Sequence, residues 1–215
     1  MPSPRLERAF FARDAESVAR ELLGQTLVFQ SLRRAEADGE STLDETRVRI
    51  VETEAYVGAH DLACHASKGR TKRTEIMFGA AGHAYIYLIY GVYELLNVVT
   101  GSLDDAQAVL LRAAEPTSSS RSLPPTRQPF RGPGKLTRAL GITRALNGAA
   151  LCGETAFSEQ ERPSRIWFEV GEAPKKIEVS ARIGVDYAGE WRDAPLRFYD
   201  PESKAVSGVR PVRRT

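Results

Sequence analysis

The chain has 215 residues, 42% of them hydrophobic, which is enough to bury one sizeable core and gives no indication of a second domain. The formal net charge of +2 is too small to identify a partner by itself. No apolar run reaches the ~18 residues of a membrane span, and Cys64 and Cys152 form no CxxC pair, so the composition argues against a membrane protein, a disulfide framework, a zinc ribbon or an iron–sulfur cluster.

The N-terminal part of the chain predicts one helix and two antiparallel strands. Residues 14–24 read DAESVARELLG: an aspartate suits the N-cap, a glycine the end, and the apolar residues fall on one helical face. Residues 25–30 and 47–57 have strand composition. The polar, glycine-containing stretch 31–45 predicts a loop, across which we expect the two strands to pair.

The middle of the chain predicts a hairpin and a buried strand. Residues 83–100 read HAYIYLIYGVYELLNVVT, which indicates two strands that turn at Tyr90-Gly91. Residues 108–116, AVLLRAAEP, are typical of a buried strand that ends at its proline. Residues 117–134 are rich in Ser, Pro and Arg, which predicts a surface loop.

Beyond this loop the sequence predicts a short helix over residues 134–142, behind a Gly-Pro-Gly turn, and then late strands or loops in SARIGVDYAGEW and PLRFYD. We therefore expect a single α+β domain over residues 1–215, with a curved, mostly antiparallel β-sheet and few helices. The ends, 1–9 and 206–215, are expected to be flexible.

Basic residues are concentrated in two segments. No acidic residue occurs between Glu115 and Glu154, and KGRTKR spans residues 68–73. The segment between Glu115 and Glu154 contains Arg121, Arg127, Arg131, Lys135, Arg138 and Arg144. Basic surface on one side is typical of a protein that binds a polyanion, although either segment alone also fits a solvated loop.

Two glutamates lie within the strand sequence RIVETEAYVG at residues 49–58. Because side chains alternate along a strand, Glu52, Glu54 and Tyr56 share one face. A buried carboxylate is costly unless it is paired or used. Same-face residues two apart lie roughly 7 Å apart, close to the carboxylate separation of glycosidic-bond chemistry. The alternative is a structural glutamate paired with an arginine.

Three tyrosines follow in YIYLIYGVY. Tyr85 and Tyr87 share one strand face, and for Tyr85 the pattern favours packing in the core. Tyr90 lies beside Gly91 at the predicted turn, where an aromatic side chain is usually exposed. An exposed aromatic near basic segments indicates stacking on nucleic-acid bases or insertion between them.

Arg112 lies inside an apolar strand and therefore needs an anionic partner, for which the glutamates of the opening strand are the candidates. It either forms a buried ion pair or orients a carboxylate or its water. His60, His65 and His83 with Cys64 match no metal-ligand spacing, so no metal site is predicted. Cys64 and His65 are also not expected to act as a nucleophile pair, because neighbours on a strand face apart.

Several motifs together resemble one protein family. VETEAYVG, HAYIYLIYGVY, LLN, VLLRAAEP, GPGKL and RIGVDYAGEW…PLRFY, in this order and spacing, closely resemble the alkyladenine (3-methyladenine) DNA glycosylase family. The resemblance covers most of the chain, from about Phe10 to Tyr199. It implies one mixed domain around a curved antiparallel sheet, with a tyrosine-bearing β-hairpin that inserts into the DNA minor groove.

The resemblance also implies catalytic roles. Glu54 would be the general base, and Arg112 would hold the catalytic water together with it. Ile183 takes the place of a residue whose backbone carbonyl also holds that water. Glu52 is interpreted as structural.

Pocket roles follow from the same resemblance. Tyr56 would form one wall of a base pocket, His65 would line it, and Tyr87 would stack on the flipped base from the other side. Asn97 would disfavour a purine 2-amino group. Tyr90 would intercalate into the duplex.

These roles predict a monofunctional glycosylase that hydrolyses the N-glycosidic bond of alkylated or deaminated purines and leaves an abasic site. The expected partner is double-stranded DNA containing damaged purines, with phosphate contacts from Arg70, Lys72, Arg73 and Lys135. No cofactor and no membrane are expected. We expect a monomer in a reducing compartment. This would be the cytoplasm, in association with the nucleoid, if the protein is bacterial, and the nucleus if it is eukaryotic.

The sequence departs from the family in the loop after His65, where TKRTEIMF, including Thr74, stands in place of a common Pro and Asn, and where Ala66 replaces a commonly polar residue. Pocket polarity is therefore open, as is the choice among 3-methyladenine, 7-methylguanine, hypoxanthine and ethenoadenine.

Other classes of function fit the sequence less well than a glycosylase. A nucleic-acid-binding module without catalysis, in which Glu54 only pairs with Arg112, is the main alternative. An O-glycosidase would need neither the tyrosine-tipped hairpin nor the basic segments. A bifunctional glycosylase with Pro2 as nucleophile does not fit. The chain lacks the acidic residues expected just after this proline, and it also lacks the cysteines of a zinc finger.

Overall fold

The computed structural model describes residues 3–34, 41–118, 120, 130–153 and 164–208. The strands in these ranges are β1 (Thr26–Arg34), β2 (Ser41–Tyr56), β3 (Ala84–Ile89), β4 (Tyr93–Thr100), β5 (Gln107–Pro116), β6 (Ser164–Glu169), β7 (Glu178–Ser180) and β8 (Arg197–Tyr199). The α-helices are α1 (Arg8–Phe11), α2 (Ala15–Glu21) and α3 (Pro133–Leu140). Short 3-10 helices span His65–Lys68, Glu75–Phe78, Arg144–Leu146 and Gly189–Asp193.

Six of the strands follow one another in an antiparallel sheet in the order β3-β4-β5-β2-β1-β6, which curls into a half-barrel. Strand β8 joins the sheet beside β2, and β7 pairs with β8. Strand β2 is the longest and changes partner along its length: its first part pairs with β1, and residues 52–54 pair with β8. The register between β2 and β5 shifts between Ile50 and Thr53, as a β-bulge does. This bulge lies immediately before Glu54, at the point where the site is built.

Helix α2 packs its apolar face on the sheet as its sequence predicts. Asp14 caps it by accepting a 2.8 Å hydrogen bond from the backbone N–H of Ser17. The predicted apolar stripe is fully buried: Ala15, Val18 and Ala19 lie in α2, and Leu22 and Leu23 directly follow it. Burying a large apolar side chain contributes about 1.5–3 kcal/mol, so this face anchors the helix firmly behind β2 and β5.

The predicted α+β class, the antiparallel pairing of the first two strands and the hairpin at residues 83–100 are confirmed. The predicted loop 31–45 is too long, because residues 31–34 and 41–45 continue the strands, while residues 35–40 lie outside the described part. Helix α3 begins inside the Gly-Pro-Gly sequence, at Pro133, whose fixed φ suits a first helical turn.

Helix α1, strand β6, strand β7 apart from Ser180, and the 3-10 helices were not predicted. Strand β6 carries the apolar run Ile166–Phe168, a strand signal that the sequence does contain. Within the ends that are expected to be flexible, Leu6, Val206 and Ser207 are buried in the fold. Residues 1–2, 119, 121–129 and 209–215, which include parts of the predicted loop and ends, lie outside the described residues. Among the residues searched, no helix has the length and hydrophobicity to cross a membrane.

Candidate active site

A cavity of about 490 Å³ opens where the β3–β4 hairpin and β5 face the segment that precedes β8. The first turn of α3 and the start of the 3-10 helix at His65–Lys68 complete its walls. The residues predicted for the base pocket all line this cavity: Tyr56, His65, Tyr87 and Asn97, together with Tyr90, Arg112 and Ile183. The fold therefore brings together side chains that are far apart in the sequence.

Glu54 is fully buried behind three of these lining residues. Its Oε1 accepts a 2.7 Å hydrogen bond from the backbone N–H of Ile183 and lies 3.1 Å from Nη1 of Arg112. Its Oε2 accepts a 3.1 Å bond from the hydroxyl of Tyr56. The prediction for Ile183 concerned its backbone carbonyl and the catalytic water; its contact with Glu54 is made by its backbone N–H.

Arg112 joins the two glutamates of β2, as predicted from its place in an apolar strand. Its Nε donates to Oε1 of Glu52 at 2.8 Å, and its Nη1 pairs with Glu54. Burial by itself lowers the pKa of the Arg112 guanidinium, but the charges of Glu54 and Glu52 outweigh this and raise the pKa. The cation is therefore stable in the site, and Glu52 is ion-paired with it, as expected for a structural glutamate.

The aromatic wall consists of rings in mutual contact. His65 Nδ1 and the Tyr85 hydroxyl share a 2.8 Å hydrogen bond, and Tyr85 is buried in the core as predicted. The His65 and Tyr87 ring centroids are 4.5 Å apart with an interplanar angle of 69°. An aromatic cluster of this kind offers apolar faces for stacking on a flat ligand.

Burial keeps two of the pocket side chains neutral. It lowers the pKa of the His65 imidazole to about 4, and the positive charges of Arg73 and Lys68 act in the same direction. Burial also raises the pKa of Tyr56 well above its usual value, and the charge of Glu54 adds to this. Tyr56 therefore remains protonated and able to donate its hydrogen bond to Glu54.

The hairpin fixes Asn97 and Tyr90 at opposite ends. Asn97 is buried, and its Nδ2 donates to the backbone carbonyl of Tyr85 across the β3–β4 pair at 3.0 Å. Tyr90 has φ 53° and Gly91 φ 71°, the left-handed pair of a tight hairpin turn. Tyr90 is 86% exposed, so it projects beyond the cavity as predicted for an inserting residue.

The four basic residues predicted to contact phosphates lie in different surroundings. Arg70 pairs with Asp104 and with Glu75, so its charge is already balanced. Lys72 and Lys135 are exposed, and Lys135 also lines the cavity, which sequence reasoning did not anticipate.

Arg73 contacts the pocket itself. Its guanidinium lies 5.3 Å from the centroid of the Tyr87 ring, within range of a cation–π interaction. It therefore belongs to the rim of the pocket as well as to the basic segment.

A buried ion pair behind Tyr56 was missed. Arg182 Nη2 donates to Asp61 Oδ1 at 2.9 Å, its Nη1 donates to the Ala55 carbonyl at 2.9 Å, and its guanidinium lies 4.8 Å from the Tyr56 ring centroid. This pair supports the Tyr56 wall of the cavity. Both residues lie in short irregular stretches without helix or strand periodicity, so no local pattern indicated the pair.

The loop that departs from the family is held by threonines. Thr74 is buried, and its hydroxyl donates to the Gly69 carbonyl at 3.0 Å and shares a 3.0 Å bond with Thr71. Ala66 is fully buried in a cluster with Cys64 and Tyr85, so a larger residue would have no space there.

Cys64 and His65 lie at the start of a 3-10 helix, so the prediction that they are strand neighbours facing apart is wrong. Burial raises the pKa of the Cys64 thiol to about 11, so it remains protonated. Among the residues searched, no group of three or more His, Cys, Asp or Glu is arranged to hold a metal ion.

Comparison with known proteins gives consistent matches. A family model described as methylpurine-DNA glycosylase matches residues 9–204. A protein of Methanocella arvoryzae is 46% identical over 215 residues, 97% of this chain and 98% of its own. One of Myxococcus xanthus is 47% identical over 210 residues, 97% of both chains, and one of Desulfitobacterium hafniense is 40% identical over 220 residues, 94% of this chain and 98% of its own. Each of the three carries the provisional name 3-methyladenine DNA glycosylase.

Proposed function

This chain belongs to the methylpurine-DNA glycosylase family and is a DNA glycosylase that repairs alkylated bases, and we propose that it acts as a monofunctional base-flipping hydrolase. In this proposal a damaged purine, alkylated or deaminated, rotates out of double-stranded DNA into the cavity. A water activated by Glu54 then breaks its N-glycosidic bond. The enzyme works as a monomer and leaves an abasic site.

The observation that carries this proposal is the position of Glu54 directly behind the cavity wall. Its Oε1 has two partners, Ile183 and Arg112, and its Oε2 accepts one bond from Tyr56 within the described part of the chain. An ionised carboxylate oxygen accepts about two hydrogen bonds, so Oε2 retains capacity for one from a water. A base fixed in place by its neighbours, with one acceptor position left, suits a general base.

The cavity also suits a flipped purine energetically. Unstacking a base costs a few kcal/mol, least for damaged or mispaired bases. Stacking on aromatic side chains contributes about 1–3 kcal/mol per base, and Tyr56, His65 and Tyr87 supply the rings. Tyr90, exposed at the hairpin tip, would occupy the gap left in the duplex.

The chemical step follows from these positions. As the bond from C1′ to the purine nitrogen breaks, its electrons leave with the purine and positive charge develops on the sugar. The water oxygen bonds to C1′ while its proton passes to Glu54. An N-alkylated cationic purine departs as a neutral base, so the neutral His65 need not supply a proton. A deaminated purine departs as an anion and then takes up the proton that Glu54 received. The product is an intact strand with an abasic sugar.

A panel of duplexes, each containing one lesion, tests the proposal. Released base is measured by chromatography, and the strand is analysed with and without alkali. We expect free damaged purine and strand breaks only after alkali treatment. Tight DNA binding without release of any base would instead establish the non-catalytic module as the function.

A further inference from the structure

Ser207 lies at the centre of a buried polar network on the far side of Arg112 from Glu54. Its hydroxyl donates to Oε1 of Glu52 at 2.9 Å and accepts from Nη2 of Arg112 at 3.1 Å. Its backbone N–H donates to Oε2 of Glu52 at 2.6 Å, and its carbonyl accepts from Nη2 of Arg197 at 2.7 Å. One residue thus satisfies polar groups on three charged side chains.

Two of the three guanidinium nitrogens of Arg112 bond residues away from Glu54, and the third faces Glu54. Nε bonds Glu52, Nη2 bonds Ser207, and the remaining Nη1 faces Glu54. A guanidinium is planar and rigid, so two fixed nitrogens determine where the third points. Glu52 and Ser207 therefore aim Arg112 at Glu54.

Charge balance by itself does not need Ser207. The buried cluster holds two carboxylates, Glu52 and Glu54, and two guanidiniums, Arg112 and Arg197. Arg197 already pairs with Glu52 at 2.8 Å, so the charges cancel without the serine hydroxyl. The hydroxyl instead fixes the orientation of the Arg112 guanidinium, because it bonds both Glu52 and Arg112.

Residues 206–208 also lie against Ile183, the other residue that bonds Oε1 of Glu54. Gly208 has φ +70°, and a Cβ at this position would lie 2.7 Å from Cδ1 of Ile183. Ile183 donates its backbone N–H to Glu54. Residues 206–208 are thus in close contact with Ile183 and bonded to Arg112, the two groups that hold Oε1 of Glu54.

We propose that Ser207 is a positioning residue for the glycosylase reaction: together with Glu52 it orients Arg112 against Glu54, which it does not itself contact. This inference rests on the proposed function of Glu54 as the general base. It gives the segment 206–208, expected from its sequence to be a flexible end, a part in the active site.

The test compares Ser207→Ala with Ser203→Ala. The first variant removes both hydroxyl bonds but retains the backbone bonds to Glu52 and Arg197. The second removes the hydroxyl of Ser203, which lies just before the segment 206–208 and bonds Glu115 outside the cluster. On a duplex with one alkylated purine, we expect the single-turnover rate of Ser207→Ala to fall by about tenfold to a hundredfold, since small misplacements of a catalytic group have effects of this size. Ser203→Ala should match the wild type, and both variants should bind DNA within about twofold of it.

A double-mutant cycle with Arg112→Lys separates positioning from a general packing role. Lysine retains the positive charge, so excision stays measurable in long incubations, but it lacks the branched guanidinium that Ser207 directs. On the Arg112→Lys background, Ser207→Ala should therefore change the rate by less than about twofold. A wild-type rate for Ser207→Ala, or an undiminished loss on the Arg112→Lys background, would overturn the inference. Failure of the wild type itself to release base would instead refute the proposed function.

Discussion

The backbone N–H of Ile183 donates a 2.7 Å hydrogen bond to Oε1 of Glu54, although 129 residues separate the two in the chain. Together with Arg112, it holds one oxygen of the carboxylate, while Oε2 accepts from Tyr56. Three neighbours therefore fix the carboxylate directly behind the cavity.

Glu54→Gln should retain DNA binding and lose base excision. The amide keeps the shape of the side chain but cannot take the proton of the water, and general-base catalysis contributes about 10²–10⁴-fold. Single-turnover excision and DNA affinity are measured in parallel. Glu115→Gln removes a carboxylate outside the site and serves as the control, and equal rates for the two variants would exclude Glu54 as the base.

Tyr90→Ala should weaken the processing of lesions in duplex DNA, because nothing would fill the gap left by the flipped nucleotide. Tyr90 is 86% exposed, so the free energy of unfolding should change by no more than about 0.5 kcal/mol. Val92→Ala, in the same turn, is the matched control and should retain activity. A large fall in Tm for Tyr90→Ala would show that this tyrosine supports the core.

DNA binding should weaken steeply as salt increases and should depend little on the flanking sequence. Removing one phosphate contact lowers the slope of log K against log salt by about 0.9. We expect this change for Lys72→Gln and Lys135→Gln, whose side chains are exposed. Arg70→Gln should leave the slope unchanged, since Asp104 and Glu75 already pair with this guanidinium. The reverse pattern would assign the phosphate contacts to Arg70.

His65 should remain neutral across the physiological pH range. Burial holds its pKa at about 4, so the nitrogen-15 signals of its imidazole should titrate near that pH, and His65→Gln identifies them by their loss. A midpoint near the ordinary value of 6.5 would contradict the buried, neutral imidazole.

The same shift has a consequence for stability. Since the pKa in the folded state lies below the ordinary 6.5, the unfolded chain binds this proton first as the pH falls. The free energy of unfolding should therefore decrease from about pH 6.5 to about pH 4, and the decrease should be smaller in His65→Gln than in the wild type. Denaturant titrations at several pH values measure it.

Borohydride should trap no covalent adduct between the protein and DNA during excision. A strand-cleaving mechanism needs an amine that forms a Schiff base with the sugar, whereas a water leaves no bond to the protein. Lys135 lines the cavity and is the amine to test first. An adduct at stoichiometric yield that disappears in Lys135→Gln, or on substitution of Pro2, would overturn the monofunctional mechanism and leave the base-flipping step standing.

Much of the framework was determined by sequence because its causes are local. The apolar stripe of α2, the Tyr90-Gly91 turn and the alternation that places Glu52 and Glu54 on one face depend on neighbours a few residues away. The pairing of Arg112 with these glutamates followed from the cost of an unpaired charge in an apolar strand.

The tertiary structure alone decided how the site is supported. Ser207 reaches Glu52 across 155 residues, and Arg182 reaches Asp61 across 121. Neither pair leaves a periodic pattern in the sequence, because hydrogen bonds between distant segments depend on the curl of the sheet and on where β8 joins β2. The resemblance of the sequence to its family indicated Glu54 as the expected base, and the fold decided which residues hold its carboxylate in place.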